Sequence, residues 1–159
     1  MPFPPTDLPA FLQCCAGEWM CLRSRFELDR AASSDGDGDG DGDQWHSSER
    51  GELVVEYLEP AAAQGPGGLS VGLKGEPQRQ LLFMADGGFT AGDQQGSWQL
   101  LPDSSLELTL RDGQREVLER IWFTKPNLRL RSTVEQRQDG SPGRASFSSE
   151  IRRVSRPAA

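Results

Sequence analysis

Residues 119–133 read ERIWFTKPNLRLRST, two runs of period-two alternation on either side of a turn. In the first run Glu119, Ile121 and Phe123 share one face, with Arg120 and Trp122 on the other. Beyond Lys125-Pro126-Asn127, Arg129, Arg131 and Thr133 alternate with Leu128, Leu130, Ser132 and Val134. Two alternating runs around a Pro-Asn turn make an antiparallel hairpin.

Outward from this hairpin the pattern repeats. Strands are predicted at 52–58, 69–74, 79–85, 96–101, 106–111, 115–123, 127–137 and 145–154, and a long first strand follows Gly17. In that first strand Trp19, Cys21, Arg23 and Arg25 lie on one face, and Met20, Leu22, Ser24, Phe26 and Leu28 on the other. The separators are turn chemistry, as in Gly65-Pro66-Gly67-Gly68, Asp86-Gly87-Gly88, Asp112-Gly113 and Asp139-Gly140-Ser141-Pro142-Gly143. About nine antiparallel strands in meander order favour an up-and-down barrel, because closure removes the unpaired edges. Ahead of them Leu8, Phe11, Leu12 and Cys15 fall at i, i+3, i+4 and i+7, with Asp7 as N-cap and Gly17 as stop. That predicts one short amino-terminal helix, placed to plug one mouth.

The 18 glycines and 11 prolines in 159 residues argue against long helices, and the length implies one domain, 1–159, around one core. Charge is 17 basic against 24 acidic residues, but five of the acids lie in DGDGDGDGD at 35–43. Without them the balance is 17 against 19, which gives nucleic acid no basic surface to hold. The segment 30–48 is too poor in apolar residues to order itself and is expected to be a flexible Asp/Gly-rich loop. Its DxDxDG opens like a calcium loop, but His46 falls where the twelfth-position acid belongs, so solvated low complexity is favoured and no metal site is assigned. One histidine cannot build a multi-histidine zinc site and makes a Ser-His-Asp relay improbable. Cys14, Cys15 and Cys21 form no CxxC pattern and suggest a reducing, cytoplasmic setting, and no apolar run is long enough for a membrane helix.

The anomaly is ionic. Polar residues repeat on one face of three late strands: Glu119; Arg129, Arg131 and Thr133; Ser146, Ser148 and Glu150. Hydrophobicity alone favours the leucine face of 128–134 as the core side, which would leave these groups as cross-strand ion pairs on a solvated wall.

The stretch ERIWFTKPNLRLRST resembles the ERxWFxxPNLRLRxS/T signature of the S/U-type phycobiliprotein lyases, the CpcS/CpeS family. Ala145-Ser146-Phe147-Ser148-Ser149-Glu150-Ile151-Arg152 resembles its ASFxSEIR ending, and Gly17-Glu18-Trp19 with Arg23 its first-strand pattern. The resemblance implies an all-β, lipocalin-like (calycin) barrel with Trp19 as a packing residue at its closed end. It implies a lyase of cyanobacterial-type photosynthesis that attaches a phycobilin by a thioether to a cysteine of a phycobiliprotein subunit destined for the phycobilisome. The pigment, phycocyanobilin or phycoerythrobilin, is then a transferred substrate and not a resident cofactor. The acceptor is phycocyanin, phycoerythrin or allophycocyanin. A homodimer and a heterodimer of lyase subunits both stay open. The resemblance also reverses the face assignment and maps bilin handling onto Glu119, Arg129 and Glu150, with Thr133 at a hydroxyl position of the same pocket; on that basis Glu119 and Glu150 are expected to be catalytic and Arg129, Thr133, Arg131 and Arg23 to bind the bilin. Leu73 stands where many relatives carry Trp.

On chemical grounds a bilin asks for apolar walls, a cation for its propionates and an acid or base for its pyrroles. Arg129 is expected to fork onto a propionate, with Arg131 or Arg23 as second cation, and the two glutamates to favour a protonated chromophore. Cys21 is the internal thiol nearest this chemistry, though a small core residue is the simpler reading. Two rivals remain: a non-covalent bilin carrier of lipocalin type, and an interaction module with a solvated Arg/Glu wall.

Overall fold

A computed structural model describes residues 3–27, 46–60 and 65–154. One helix, α1 (Leu8–Cys15), precedes ten strands: β1 (Gly17–Glu27), β2 (His46–Leu58), β3 (Gly67–Leu73), β4 (Arg79–Phe83), β5 (Gly88–Ala91), β6 (Gln94–Leu100), β7 (Leu106–Asp112), β8 (Arg115–Lys125), β9 (Leu128–Arg137) and β10 (Pro142–Arg152). Each strand pairs antiparallel with its sequence neighbour, and β1 also pairs with β10, closing the barrel. The all-β up-and-down barrel read from alternation and turns is therefore the fold.

Two elements differ from expectation. β5 is a tenth strand of four residues, Gly-Phe-Thr-Ala, set between two glycine-rich turns that mask its alternation. β2 begins at His46 and not at residue 52, because Glu49, Ser48 and Ser47 pair in register with Arg23, Ser24 and Arg25. Residues 46–48, expected in the flexible loop, are therefore strand. The Asp/Gly tract and its calcium-loop reading lie outside the described residues.

α1 forms as its sequence dictates. Asp7 Oδ1 accepts from the Ala10 amide at 2.8 Å, Pro9 sits in the first turn where it displaces no helical hydrogen bond, and Leu8, Phe11, Leu12 and Cys15 are buried. The helix closes one end of the barrel. There Phe123 receives Phe11 edge-on at 5.3 Å between ring centroids and lies 6.2 Å from Trp19, whose indole N–H donates to the Cys15 carbonyl at 2.9 Å. Trp19 is buried, in the packing role expected of it. Arg152, from the end of β10, stacks 4.3 Å over the Trp19 ring and donates to the carbonyls of Cys14 and Ala16, and its Nε donates to Asn127 Oδ1 at 3.1 Å. One guanidinium therefore ties together the helix C-terminus, the start of β1, the β8–β9 turn and the last strand. Gly17 is required beside it: its φ is +140°, and a Cβ there would lie 2.7 Å from Arg152 Nη1.

Among the described residues no helix is long and apolar enough to cross a membrane.

Candidate functional site

Register stacks the ionic residues in layers inside the barrel. Cys21 pairs with Glu150 and Glu150 with Arg129; one layer toward the open end, Arg23 pairs with Ser148 and Ser148 with Arg131; in the next, Ser146 pairs with Thr133 and Thr133 with Glu119. The polar faces of β8, β9 and β10 thus point inward, and the leucine face of β9 is the outer wall. The assignment from hydrophobicity fails here because the guanidiniums meet carboxylates on the adjacent strands, which removes the penalty for burying unpaired charge.

The innermost layer is closed to water. Arg129 is 1% exposed and Glu150 0%, with Arg129 Nε donating to Glu150 Oε1 at 2.8 Å. The guanidinium of Arg129 lies 4.6 Å from the Trp19 ring, on which Arg152 also stacks. Arg131 Nε lies 3.5 Å from the same Glu150 oxygen, and the Cys21 thiol donates to Glu150 Oε2 at 3.4 Å. Burial pushes the Glu150 carboxyl up, but the guanidiniums of Arg131 and Arg129 and its hydrogen bonds outweigh that and hold it at about 2. Burial and the neighbouring carboxylate push the Cys21 thiol up to about 11, so it stays protonated and a poor nucleophile at neutral pH. This favours the small-core reading of Cys21.

One layer out, Arg131 Nη1 donates to Glu119 Oε1 at 2.5 Å. This pair is 15% and 21% exposed and faces a cavity of about 100 Å³ walled by Leu81, Phe89, Leu108, Leu110 and Val117, with Arg79 at its rim. A second cavity of about 230 Å³ opens at the mouth and is lined by Arg23, Arg25, Arg144, Thr133, Ser146 and Val117, among others. Val117 borders both. At the mouth Arg25 pairs with Glu49 at 2.7 Å and Arg144 with Glu27 at 3.2 Å. Arg23 differs: its Nε donates to Ser148 Oγ at 3.4 Å, and it has no carboxylate partner among the described residues.

The structure therefore brings all six expected site residues inside the barrel and divides them. Glu119 and Arg131 line the deep cavity, and Arg23 and Thr133 the mouth cavity. Arg129 and Glu150 line neither and are locked to each other. Arg79, Arg25 and Arg144 were not singled out from sequence, and Ser148 was noted only for sharing a face with Glu150. Period-two parity with Arg23, Ser146 and Glu150 carries the signal for Ser148, Arg25 and Arg144, and parity with Leu81 and Phe83 carries it for Arg79. Leu73 is half exposed at the open end of β3. Trp122 packs against Phe147 on the outer wall, and Trp98 donates to the Met84 carbonyl at 2.8 Å.

Comparison with known proteins places this arrangement. Residues 69–153 match the family model described as CpeS-like protein. The chain is 42% identical over 156 residues to chromophore lyase CpcS/CpeS 1 of Paulinella chromatophora, covering 97% of this chain and 92% of that one. The chain belongs to the CpeS-like family. It is also 26% identical to chromophore lyase CpcS/CpeS 1 of a Synechocystis strain, covering 93% of this chain and 91% of the relative. The structure of the S-type phycobiliprotein lyase CPES from Guillardia theta superimposes with a TM-score of 0.66 at 18% identity over 95% of both chains, a likeness of fold. The match to the family model covers β3 through β10, hence Glu119, Arg129, Arg131, Thr133 and Glu150, and leaves Arg23 to the full-length relatives.

Proposed function

We propose that this chain, a chromophore lyase of the CpcS/CpeS kind, holds one end of an open-chain tetrapyrrole in its deep cavity and presents the other end to a cysteine of a phycobiliprotein subunit in the cytoplasm. The observation that carries the reading is the Glu119–Arg131 pair at the polar end of an otherwise apolar, inward-facing cavity. Cavities of about 100 and 230 Å³ fall below the roughly 300–1,000 Å³ that encloses a drug-sized ligand, so a linear pigment enters in part. That suits a transfer enzyme, since the reactive end has to stay within reach of another protein's thiol.

Roles follow from accessibility. Glu119 is the carboxylate that reaches the pigment; it accepts from pyrrole N–H groups and favours the protonated, electrophilic form. Arg23, with no carboxylate partner among the described residues, takes a propionate by a charge-assisted contact, and Thr133 and Ser146 offer hydroxyls beside it. Arg131 orients Glu119. Arg129 and Glu150 are positioning residues: their locked pair fixes Arg131 from below, which moves the propionate role from Arg129 to Arg23. In the reaction the acceptor's sulfur bonds to a carbon of a pigment double bond, and the thiol's proton is matched by the one the pigment carbon skeleton gains. No group leaves and no oxidant is needed. The substrate is phycocyanobilin or phycoerythrobilin, and the acceptor a phycocyanin, phycoerythrin or allophycocyanin subunit.

The test is co-expression with a bilin-synthesising pathway and single candidate subunits, reading acid-stable pigment on the subunit after denaturing electrophoresis. Glu119→Gln is expected to cut transfer roughly a hundredfold, the scale of a lost electrostatic partner of a developing charge, while its melting stays within a few degrees of the parent. Transfer that is unchanged in the variant refutes the assignment of Glu119. Pigment bound to the parent but never passed on would make the chain a carrier.

A further inference from the structure

The deep cavity and the mouth cavity meet at one side chain. Among the described residues that line them, Val117 is the one common to both, with about 100 Å³ on the side of Glu119 and Arg131 and about 230 Å³ on the side of Arg23. It stands on the inward face of β8, one inward position from Glu119 toward the open end, and is paired in register with Leu110 of β7 and Glu135 of β9. Its backbone is thus held on both sides, and a β-branched side chain has few χ1 rotamers, which makes it a firm ledge. Joined, the two spaces would reach the lower end of the roughly 300–1,000 Å³ that encloses a drug-sized ligand; divided, neither does. The chemistry changes across the ledge. On the deep side the walls are Leu81, Phe89, Leu108 and Leu110, and the Glu119–Arg131 pair forms the polar end. Arg131 Nε is buried there without a hydrogen-bond partner among the described residues, so the pair offers a carboxylate acceptor and an unused donor. On the outer side Arg23, Arg25 and Arg144 are cations for a carboxylate.

We infer that Val117 is a specificity-determining residue that sets how far the pigment enters: one terminal ring passes the ledge into the deep cavity, and the neighbouring ring is stopped in the mouth with its propionate. The inference rests on the reading of these cavities as the pigment site. It follows from the constitution of an open-chain tetrapyrrole, whose two end rings are lactams without acid groups and whose two inner rings each carry a propionate. A lactam pairs an N–H with a C=O, which matches Glu119 as acceptor and Arg131 as donor. A propionate matches Arg23 and has no place beyond the ledge, where a second carboxylate would face Glu119 in a largely apolar space. A volume of about 100 Å³ is the share of some three water molecules, enough for one five-membered ring and too little for two. The unit recognised is therefore a two-ring, one-acid half of the pigment. The opposite end ring, which bonds the acceptor's sulfur, is left outside at a fixed reach.

Spectral titration of the full chain tests this with two probes, the intact pigment and a dipyrrinone, a two-ring lactam that carries one propionate. The parent is expected to bind the dipyrrinone with a Kd within about tenfold of that for the pigment, and the two to compete. Val117→Phe, which raises the ledge, is expected to weaken both probes by roughly tenfold or more and to abolish the red shift of the protonated pigment, because the end ring no longer meets Glu119. Val117→Ala, which joins the cavities, is expected to hold dipyrrinone affinity within about threefold and to slow transfer to an acceptor subunit by roughly tenfold, since nothing then fixes where the end ring stops. Leu118→Phe places comparable bulk on the outward neighbour, 41% exposed, and is expected to change none of these readings. Should Val117→Phe fail to fold, Val117→Leu is read the same way. A parent that binds neither probe overturns the pocket reading and this inference together. A parent that binds the pigment but not the dipyrrinone overturns the role of Val117 alone, as does a folded Val117→Phe with the parent's spectrum and affinity or a Val117→Ala that transfers at the parent's rate.

Discussion

Replacing Glu150 by Gln removes one negative charge from a layer sealed against water and leaves the shape of the side chain almost unchanged. Glu150 accepts from Arg129 at 2.8 Å and from Cys21 at 3.4 Å and lies 3.5 Å from Arg131, so Arg131 would keep Glu119 while Arg129 would lose its carboxylate partner among the described residues. Removing one partner of a buried ion pair costs about 3–5 kcal/mol, because the other charge stays desolvated. The pH dependence supplies an independent measure. The carboxyl is held at about 2 in the folded state against an ordinary 4.5, so its contribution is complete above the unfolded value and disappears as pH falls through the folded one. That amounts to roughly 3 kcal/mol at pH 7 and a few tenths by pH 2. Urea unfolding of the parent and Glu150→Gln across this range is expected to show a gap of about 3–5 kcal/mol at neutrality that narrows steadily below pH 4.5. A gap under about 1 kcal/mol at pH 7, or one that stays constant to pH 2, would refute the locked-pair account.

Arg23→Met is expected to weaken pigment binding by roughly ten- to a hundredfold, the worth of one charge-assisted contact, in a spectral titration. The dimethyl ester of the pigment should lose the same factor with the parent and nothing further with the variant. Arg152→Met should lower stability by about 2 kcal/mol or more, since it strips the α1 carbonyls and the Trp19 ring of one partner; hydrogen exchange would show the loss concentrated in α1 and the start of β1. Gly96→Ala is expected to cost at least about 2 kcal/mol in thermal or urea unfolding, because its Cβ would fall 2.0 Å from the Thr109 carbonyl oxygen, backbone that cannot yield without parting β6 from β7.

Most of the barrel could be read from the chain because its signals are local. The 119–133 hairpin, the Asp7 cap and the i, i+3, i+4, i+7 face of α1 depend only on near neighbours, and they form as read. β5 escaped because four residues between two glycine-rich turns carry too little alternation to separate from the turns themselves. The sidedness of β9 escaped periodicity for a different reason. Its leucines are the more apolar face, and what turns them outward is the set of carboxylates that β8 and β10 bring to Arg129 and Arg131 across 12 and 21 positions of sequence. Resemblance recovered that choice of face, since it carries the outcome of the pairing without its geometry. It did not separate Arg129 from Arg23. A motif records that an arginine is present, and only burial and partners tell a sequestered guanidinium from one that can receive an anion.

The seam where β1 meets β10 has a temporal side. β1 finds its other neighbour only when residues 144–152 have been synthesised, and Arg152, which bolts that neighbour to α1, is the last residue of β10. Until then the sheet is an open ribbon, with Glu150 yet to reach Arg129 and no chamber between them. The buried layer that joins Arg129, Glu150 and Cys21 therefore exists only once the two ends of the sheet have met.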